Sequence, residues 1–218
     1  MGVNVNGTVL PIEELHLSFL VHKLRTEYGF TKSSKSNIPC MQDGRVIPMY
    51  TYPCFEWLQS MDWEDAQVFE YGLGFSTVWW TQTAKAKVSG VEHDETWFNS
   101  LTSTDPDICA IHTEDKDKYI SSCEGEFDVI VIDGEHRAEC AEHAIKQIKE
   151  DGIIILDNTD IYESAKKILD DSDMIPIHFH GFKPIHVESE TTSCYVSRNF
   201  NRIPKSMVPM GGTKRDKK

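Results

Sequence analysis

The chain has 218 residues, is 39% hydrophobic, and carries 35 acids against 22 bases for a formal net charge of −13 at pH 7. That length suits one α/β domain with an extension and a sizeable core, and the acid excess argues against a nucleic-acid partner, which needs an electropositive face. No apolar run reaches membrane-spanning length and the first residues lack the basic and apolar regions of a secretory signal, so a cytoplasmic protein without membrane contact is expected.

Residues 12–28 place Ile12, Leu15, Leu17, Leu20, Val21 and Leu24 at roughly helical spacing and predict an amphipathic helix ended by Gly29. Residues 31–37 are rich in Ser and Lys and predict a loop; residues 51–61 predict a second helix. Residues 1–65 therefore read as a helical extension or lid. From residue 66 to residue 200 apolar strand patterns alternate with helical ones, the strands falling at 68–71, 87–92, 108–112, 127–133, 153–156, 175–180 and 192–197. Continuous apolar strands with helices between them imply a parallel sheet covered on both faces. From Arg198 onward seven Lys or Arg stand against one acid, so residues 201–218 read as a basic, disordered tail, with a docking arm as the other reading. Six scattered cysteines with no C-x-x-C pair read as buried thiols in a reducing compartment.

The stretch VFEYGLGFST, residues 68–77, runs a strand into a turn with Gly72 and Gly74 and then opens a helix at Ser76 and Thr77. Glycines there permit positive φ and let a ligand approach the main chain, and the helix start offers unpaired N–H groups. The same pattern also suits a plain turn. Glu92 lies 20 residues beyond Gly72, at the end of the next strand, where an acid can accept hydrogen bonds from ribose hydroxyls. A dinucleotide turn wants a third glycine where Thr77 stands, which disfavours an NAD or sugar-nucleotide enzyme. Glu70, just ahead of the glycines, suits a cationic amino-acid ligand better than a diphosphate.

The acid-x-Gly-x-Gly pattern resembles the first motif of the class I S-adenosylmethionine-dependent methyltransferases. The segments MYTYPCFEWL, VFEYGLGFSTVWW, GVEHDETWF, FDVIVIDGEHR and GIIILDN, spanning residues 49–158, are together similar to a small-molecule O-methyltransferase-like branch of that superfamily. Two departures stand out: Ser76 in place of a third loop glycine, and Glu150-Asp151-Gly152 in place of Pro-Gly-Gly. The resemblance implies an α/β fold, a doubly wound, mostly parallel seven-stranded Rossmann-like sheet with the N-terminal helical extension. It also implies S-adenosylmethionine held by Tyr52, Glu70, Gly72, Gly74, Ser76, Thr77, Glu92, His93 and Asp133, with residues 112–115 near the adenine. The expected reaction is methyl transfer to a small-molecule acceptor, at a hydroxyl oxygen. A homo-oligomer is compatible with this reading, and a non-catalytic partner protein that keeps the fold is the alternative.

Chemistry should sit beyond the carboxyl ends of the strands, where Asp133-Gly134-Glu135-His136 and Asp157-Asn158 fall. Asp133, Asp157 and Asn158 on one rim are hard ligands suited to magnesium and are similar to the metal site of catechol-type enzymes. Asp157 and Asn158 also suit a helix cap. Asp133, His136 and Asp157 are the catalytic candidates, with His136 the general base if no metal binds. Arg137 would steady an anionic substrate or pair with Glu135. His178, His180 and His186 read as polar lining rather than a transition-metal site, and residues 181–190 read as a substrate-closing loop.

Overall fold

The computed structural model describes residues 2–5, 8–105, 108–205, 208–210 and 212. A hairpin of β1 (Gly2–Val5) and β2 (Thr8–Pro11) comes first, then the helices α1 (Ile12–Thr26), α2 (Phe30–Ser36) and α3 (Tyr52–Gln59). Next, β3 (Gln67–Tyr71), α4 (Phe75–Gln82), β4 (Lys87–Glu92), α5 (Glu95–Thr104), β5 (Cys109–His112) and α6 (Lys116–Ser121) alternate. They continue into β6 (Phe127–Ile132), α7 (Arg137–Ala144), β7 (Ile148–Leu156) and α8 (Glu163–Asp170), and the closing strands are β8 (Ile175–Phe182) and β9 (Ser189–Val196). Seven strands form one sheet in the order β5-β4-β3-β6-β7-β9-β8, parallel except where β9 runs antiparallel to both its neighbours. This is the α/β, Rossmann-like, mostly parallel architecture the sequence implies.

Side chains in a strand alternate between faces, and here both faces are covered. Val68, Val129, Val131, Ile153, Ile155, Cys194 and Val196 pack on one side with α3 and Trp79 and Trp80 of α4. Phe69, Tyr71, Ile130, Ile132, Ile154, Leu156 and Tyr195 pack on the other with Cys140 and Ala144 of α7 and Leu169 of α8. That is why β6 and β7 read as unbroken apolar runs. Burying each such side chain contributes about 1.5–3 kcal/mol, so the sheet is the rigid frame on which the loops at its carboxyl edge are mounted.

Three expectations need correction. Residues 31–37 are not a loop: α2 covers most of them. Its anchor is one buried hydroxyl rather than an apolar stripe, since Ser33 donates to the carbonyls of Gly29 and Cys40 and accepts from the N–H of Cys40. The helix α1 forms, but none of its residues is buried, and Leu17, Phe19 and Leu20 are exposed. Five of the cysteines are buried thiols, whereas Cys109 is exposed on β5, an edge strand with one face to solvent. Within the basic tail Arg202 donates to the carbonyl of Asp62 and pairs with Asp128, while its guanidinium sits 4.6 Å from the centre of a Trp63 ring. Residues 206–207, 211 and 213–218 lie outside the described residues. Among the described residues no helix is long and apolar enough to cross a membrane.

Candidate active site

Chain order reverses between β3 and β6: successive strands step outward to β4 and β5 on one side and to β7 on the other. Loops leaving two such strands diverge and open a crevice at the carboxyl edge. Here that crevice is a cleft of roughly 360 Å³, with Leu73, Glu92 and Trp97 on one wall and Asp133, Arg137 and Tyr162 on the other. A depression of roughly 510 Å³ lined by Gln67 and Lys87 opens at the opposite end of β3 and β4, away from both glycine loops.

The two loop glycines do different work. Gly72 has φ 85°, and a Cβ there would lie 2.6 Å from the Cα of Gly134, so the loops after β3 and β6 meet back to back. Gly74 is extended, and a Cβ on it would meet only Ser76 Oγ, at 3.9 Å; the space beside it is open. Its N–H donates to Thr77 Oγ1 at 2.9 Å, and the Thr77 hydroxyl donates to Glu70 Oε2. Glu70 is fully buried and its other oxygen, Oε1, has no partner. Burial pushes its carboxyl up to about 8, opposed by the Thr77 hydrogen bond and the nearby Ser76 hydroxyl, with the Asp133 charge adding to the rise.

Glu92 lines the cleft, but its carboxylate is largely committed to shaping the loops. Oε2 accepts the N–H of Leu73 at 2.9 Å, and Oε1 accepts those of His93 and Asp94 at 2.8 and 2.9 Å. Of about four acceptor positions on an ionised carboxylate, these bonds leave one for a ligand hydroxyl. His93 Nδ1 lies 3.0 Å from Glu92 Oε1. Asp94 caps α5 by accepting the N–H of Trp97, whose indole N–H donates to the carbonyl of Leu73. The residues 112–115 do not line the cleft: the His112 ring contacts the His93 carbonyl and Asp115 caps α6. Tyr52 lies elsewhere as well, in a groove of roughly 470 Å³ with Leu20, Leu24, Pro53 and Phe182.

On the opposite wall Arg137 acts as a bracket. Nε donates to the carbonyl of Gly134 at 2.9 Å, Nη1 to that of Asp157 at 2.6 Å, and Nη2 to the carbonyl and Oδ1 of Asp133 at 2.9 and 3.0 Å. The guanidinium carbon also stands 3.9 Å from the centre of the Tyr162 ring. The group is thereby spent on the protein itself, tying the ends of β6 and β7 to Tyr162, and does not pair with Glu135. Burial and then the Asp157 charge push the Asp133 carboxyl up to about 7, opposed by Arg137 and Lys183. His136 is not among the cleft residues; it starts α7 with φ 52° and sets its ring edge-on to Tyr119 at 5.9 Å.

The trio read as magnesium ligands does not fit an ion. Asp157 is 2% exposed, and both its oxygens are taken: Oδ2 by the ammonium of Lys183 and Oδ1 by the hydroxyl of Thr192 at 2.6 Å. Asn158 points its amide N–H₂ at Glu190 Oε2, at 2.6 Å, and Asp133 Oδ1 is held by Arg137. Among the described residues no group of three or more His, Cys, Asp or Glu is placed to hold a metal. Lys183 gave no signal in the sequence, because its partners are contributed by β7 and by the far side of the β8–β9 hairpin. Tyr162 likewise stands just before α8 with no motif around it.

Residues 69–159 match a family model described as "Methyltransferase domain". The match runs from β3 to just beyond β7 and so contains both glycine loops and the cleft residues other than Tyr162. Among solved structures, a methyltransferase from Pyrococcus furiosus superposes with a TM-score of 0.53 at 13% identity, covering 84% of this chain and 98% of that one. A precorrin-6y C5,15-methyltransferase from Geobacter metallireducens gives 0.53 at 11% identity, covering 74% and 96%. Spermidine synthase from Thermotoga maritima gives 0.50 at 17% identity, covering 66% and 58%. Identities this low show the fold alone, and it is the class I methyltransferase-like fold. No curated protein matches the chain.

Proposed function

We propose that the cleft binds S-adenosylmethionine and that the protein transfers a methyl group from it to a small-molecule acceptor, at a hydroxyl oxygen. The observation that carries this reading is the unpartnered oxygen of Glu70, buried beneath a glycine loop that is open on the Gly74 side and set at the reversal point of the sheet. A buried carboxylate with a free oxygen is costly unless a cation or donor completes it. S-adenosylmethionine, when bound, supplies a methyl group activated by a sulfonium and carries an ammonium and a ribose.

A cationic ligand would displace the proton that Glu70 holds in the empty site, so that Glu70 and Asp133 face its positive parts as carboxylates, and the remaining acceptor position on Glu92 suits a ribose hydroxyl. Leu73 and Trp97 provide an apolar wall that excludes water. Asp133, raised toward neutrality, is matched to taking the acceptor's proton at Oδ2, since Oδ1 is the oxygen Arg137 holds. Arg137 fixes that carboxyl relative to Tyr162, and holding reacting groups in line can supply about 7–11 kcal/mol of a barrier in favourable cases.

A second reading concerns the acceptor. Glu92, Asp94, Asp133 and Glu135 all line the cleft, which favours an amine over an anionic acceptor. The binding test is titration with S-adenosylhomocysteine followed by a methyl-transfer screen over phenols, alcohols and amines. Binding with turnover on one class supports the proposal and selects the acceptor. Binding without turnover on any class favours a non-catalytic partner protein, and no binding removes the reading.

A further inference from the structure

The rim of the site contains a buried charge cluster that methyl transfer does not use. Lys183 follows β8, is 2% exposed, and places its ammonium against Asp157 Oδ2 and 2.9 Å from Glu190 Oε2. Glu190 Oε2 also accepts from the Asn158 amide, and Oε1 faces Nδ1 of His186. Thr192 completes Asp157 from β9 and at the same time accepts the N–H of Thr51 at the start of α3, at 3.0 Å. Two acids thus converge on one ammonium where β7 ends and the β8–β9 hairpin folds back, and the Asn158 amide donates to one of them.

The cluster overlaps the trio from which the sequence predicts a metal site. Asp157 and Asn158 are two of its three members, and the third, Asp133, is held by Arg137 one strand away. Burying two carboxylates without a counterion is strongly unfavourable, so something positive has to stand among them. Magnesium would require oxygen ligands with free lone pairs in an octahedral arrangement and would keep several waters. Here the lone pairs of Asp157 are taken by an ammonium and a hydroxyl in a space closed to solvent.

We propose that the ammonium of Lys183 is the protein's own cation at this rim, standing where a divalent metal would otherwise be held, so that the site is metal-independent by construction. The hairpin residues 183–190 are consequently tied to the end of β7 by ion pairs rather than free to close over a substrate. The inference does not depend on methyl transfer: it would hold for any ligand of the cleft.

The test is cation binding to the full chain, read by the electron paramagnetic resonance signal of free Mn²⁺ and by melting temperature in EDTA or Mg²⁺. Wild type should leave the Mn²⁺ signal undiminished and melt at the same temperature in both buffers. Lys183→Ala should melt about 10 °C lower in EDTA, recover part of that loss in millimolar Mn²⁺ or ethylammonium, and take up about one Mn²⁺ per chain. Adding Asp157→Asn should abolish the uptake and the recovery. One Mn²⁺ bound by wild type and lost in Asp157→Asn would overturn the proposal, as would a folded Lys183→Ala indifferent to both cations. If Lys183→Ala does not fold in EDTA, its refolding yield with and without Mn²⁺ replaces the melt, and no recovery overturns it.

Discussion

On the β3 side of the cleft Glu70 is buried with one oxygen unpartnered and Gly74 has open space beside it, whereas on the β7 side the two oxygens of Asp157 are satisfied by the ammonium of Lys183 and the hydroxyl of Thr192. Both sides bear acids at strand ends and look alike in the sequence. The first is incomplete without a ligand; the second is complete as it stands. A strand-end acid therefore marks a binding position only where the fold leaves it a vacant hydrogen-bonding direction.

The largest effect that would break this comparison is at Gly72. Gly72→Ala forces a Cβ onto the Gly134 backbone at positive φ, and should cost about 4 kcal/mol or more or prevent folding. Gly74→Ala should fold with a loss of less than about 1 kcal/mol, and urea denaturation of the two variants measures the contrast. Next in size is Arg137→Met, which removes four hydrogen bonds and leaves Asp133 without its ion pair. It should cost about 3–5 kcal/mol, read by the same denaturation.

A smaller effect lies in the pH dependence. Glu70, normally near 4.5, stays protonated in the fold up to about 8, so the folded chain holds a proton that the unfolded chain has released. Its stabilising contribution is full below about pH 4.5 and is lost as pH rises toward 8. Wild type should therefore lose stability over that range, and Glu70→Gln should flatten the slope. Binding of a cationic ligand should reverse the preference and release a proton, visible as calorimetric heats that change with the buffer's ionisation enthalpy. The smallest effect is His136→Asn, which keeps a residue tolerant of positive φ and touches no cleft wall. Stability should change by no more than about 0.5 kcal/mol, and S-adenosylhomocysteine affinity should be unchanged.

The sheet was legible because burial on both faces makes each strand an unbroken apolar run, as in VIVI of β6 and IIIL of β7. The places of Gly72 and Glu92 at the cleft were legible because one β-α-β unit of short connections sets β4 beside β3, so that the turn after β3 and the end of β4 share an edge. What could not be read was long-range: Lys183 meets Asp157 across 26 residues, and Arg137 bonds Asp157 across 20. The helix α2 was missed because a single serine, rather than an apolar stripe, fastens it. The helix α1 was read from its apolar spacing, yet the fold gives that stripe little to cover it.

The central claim is that the open side of the glycine loop is a binding position. Calorimetric titration of S-adenosylhomocysteine into wild type and Gly74→Val tests it most directly, because a Cβ there enters open space and meets only Ser76 Oγ, at 3.9 Å. Saturable binding to wild type, weakened by about ten- to hundredfold or more in a Gly74→Val protein of unchanged melting temperature, is the expected result. Equal affinity for the two proteins, or no heat with either, would contradict the account.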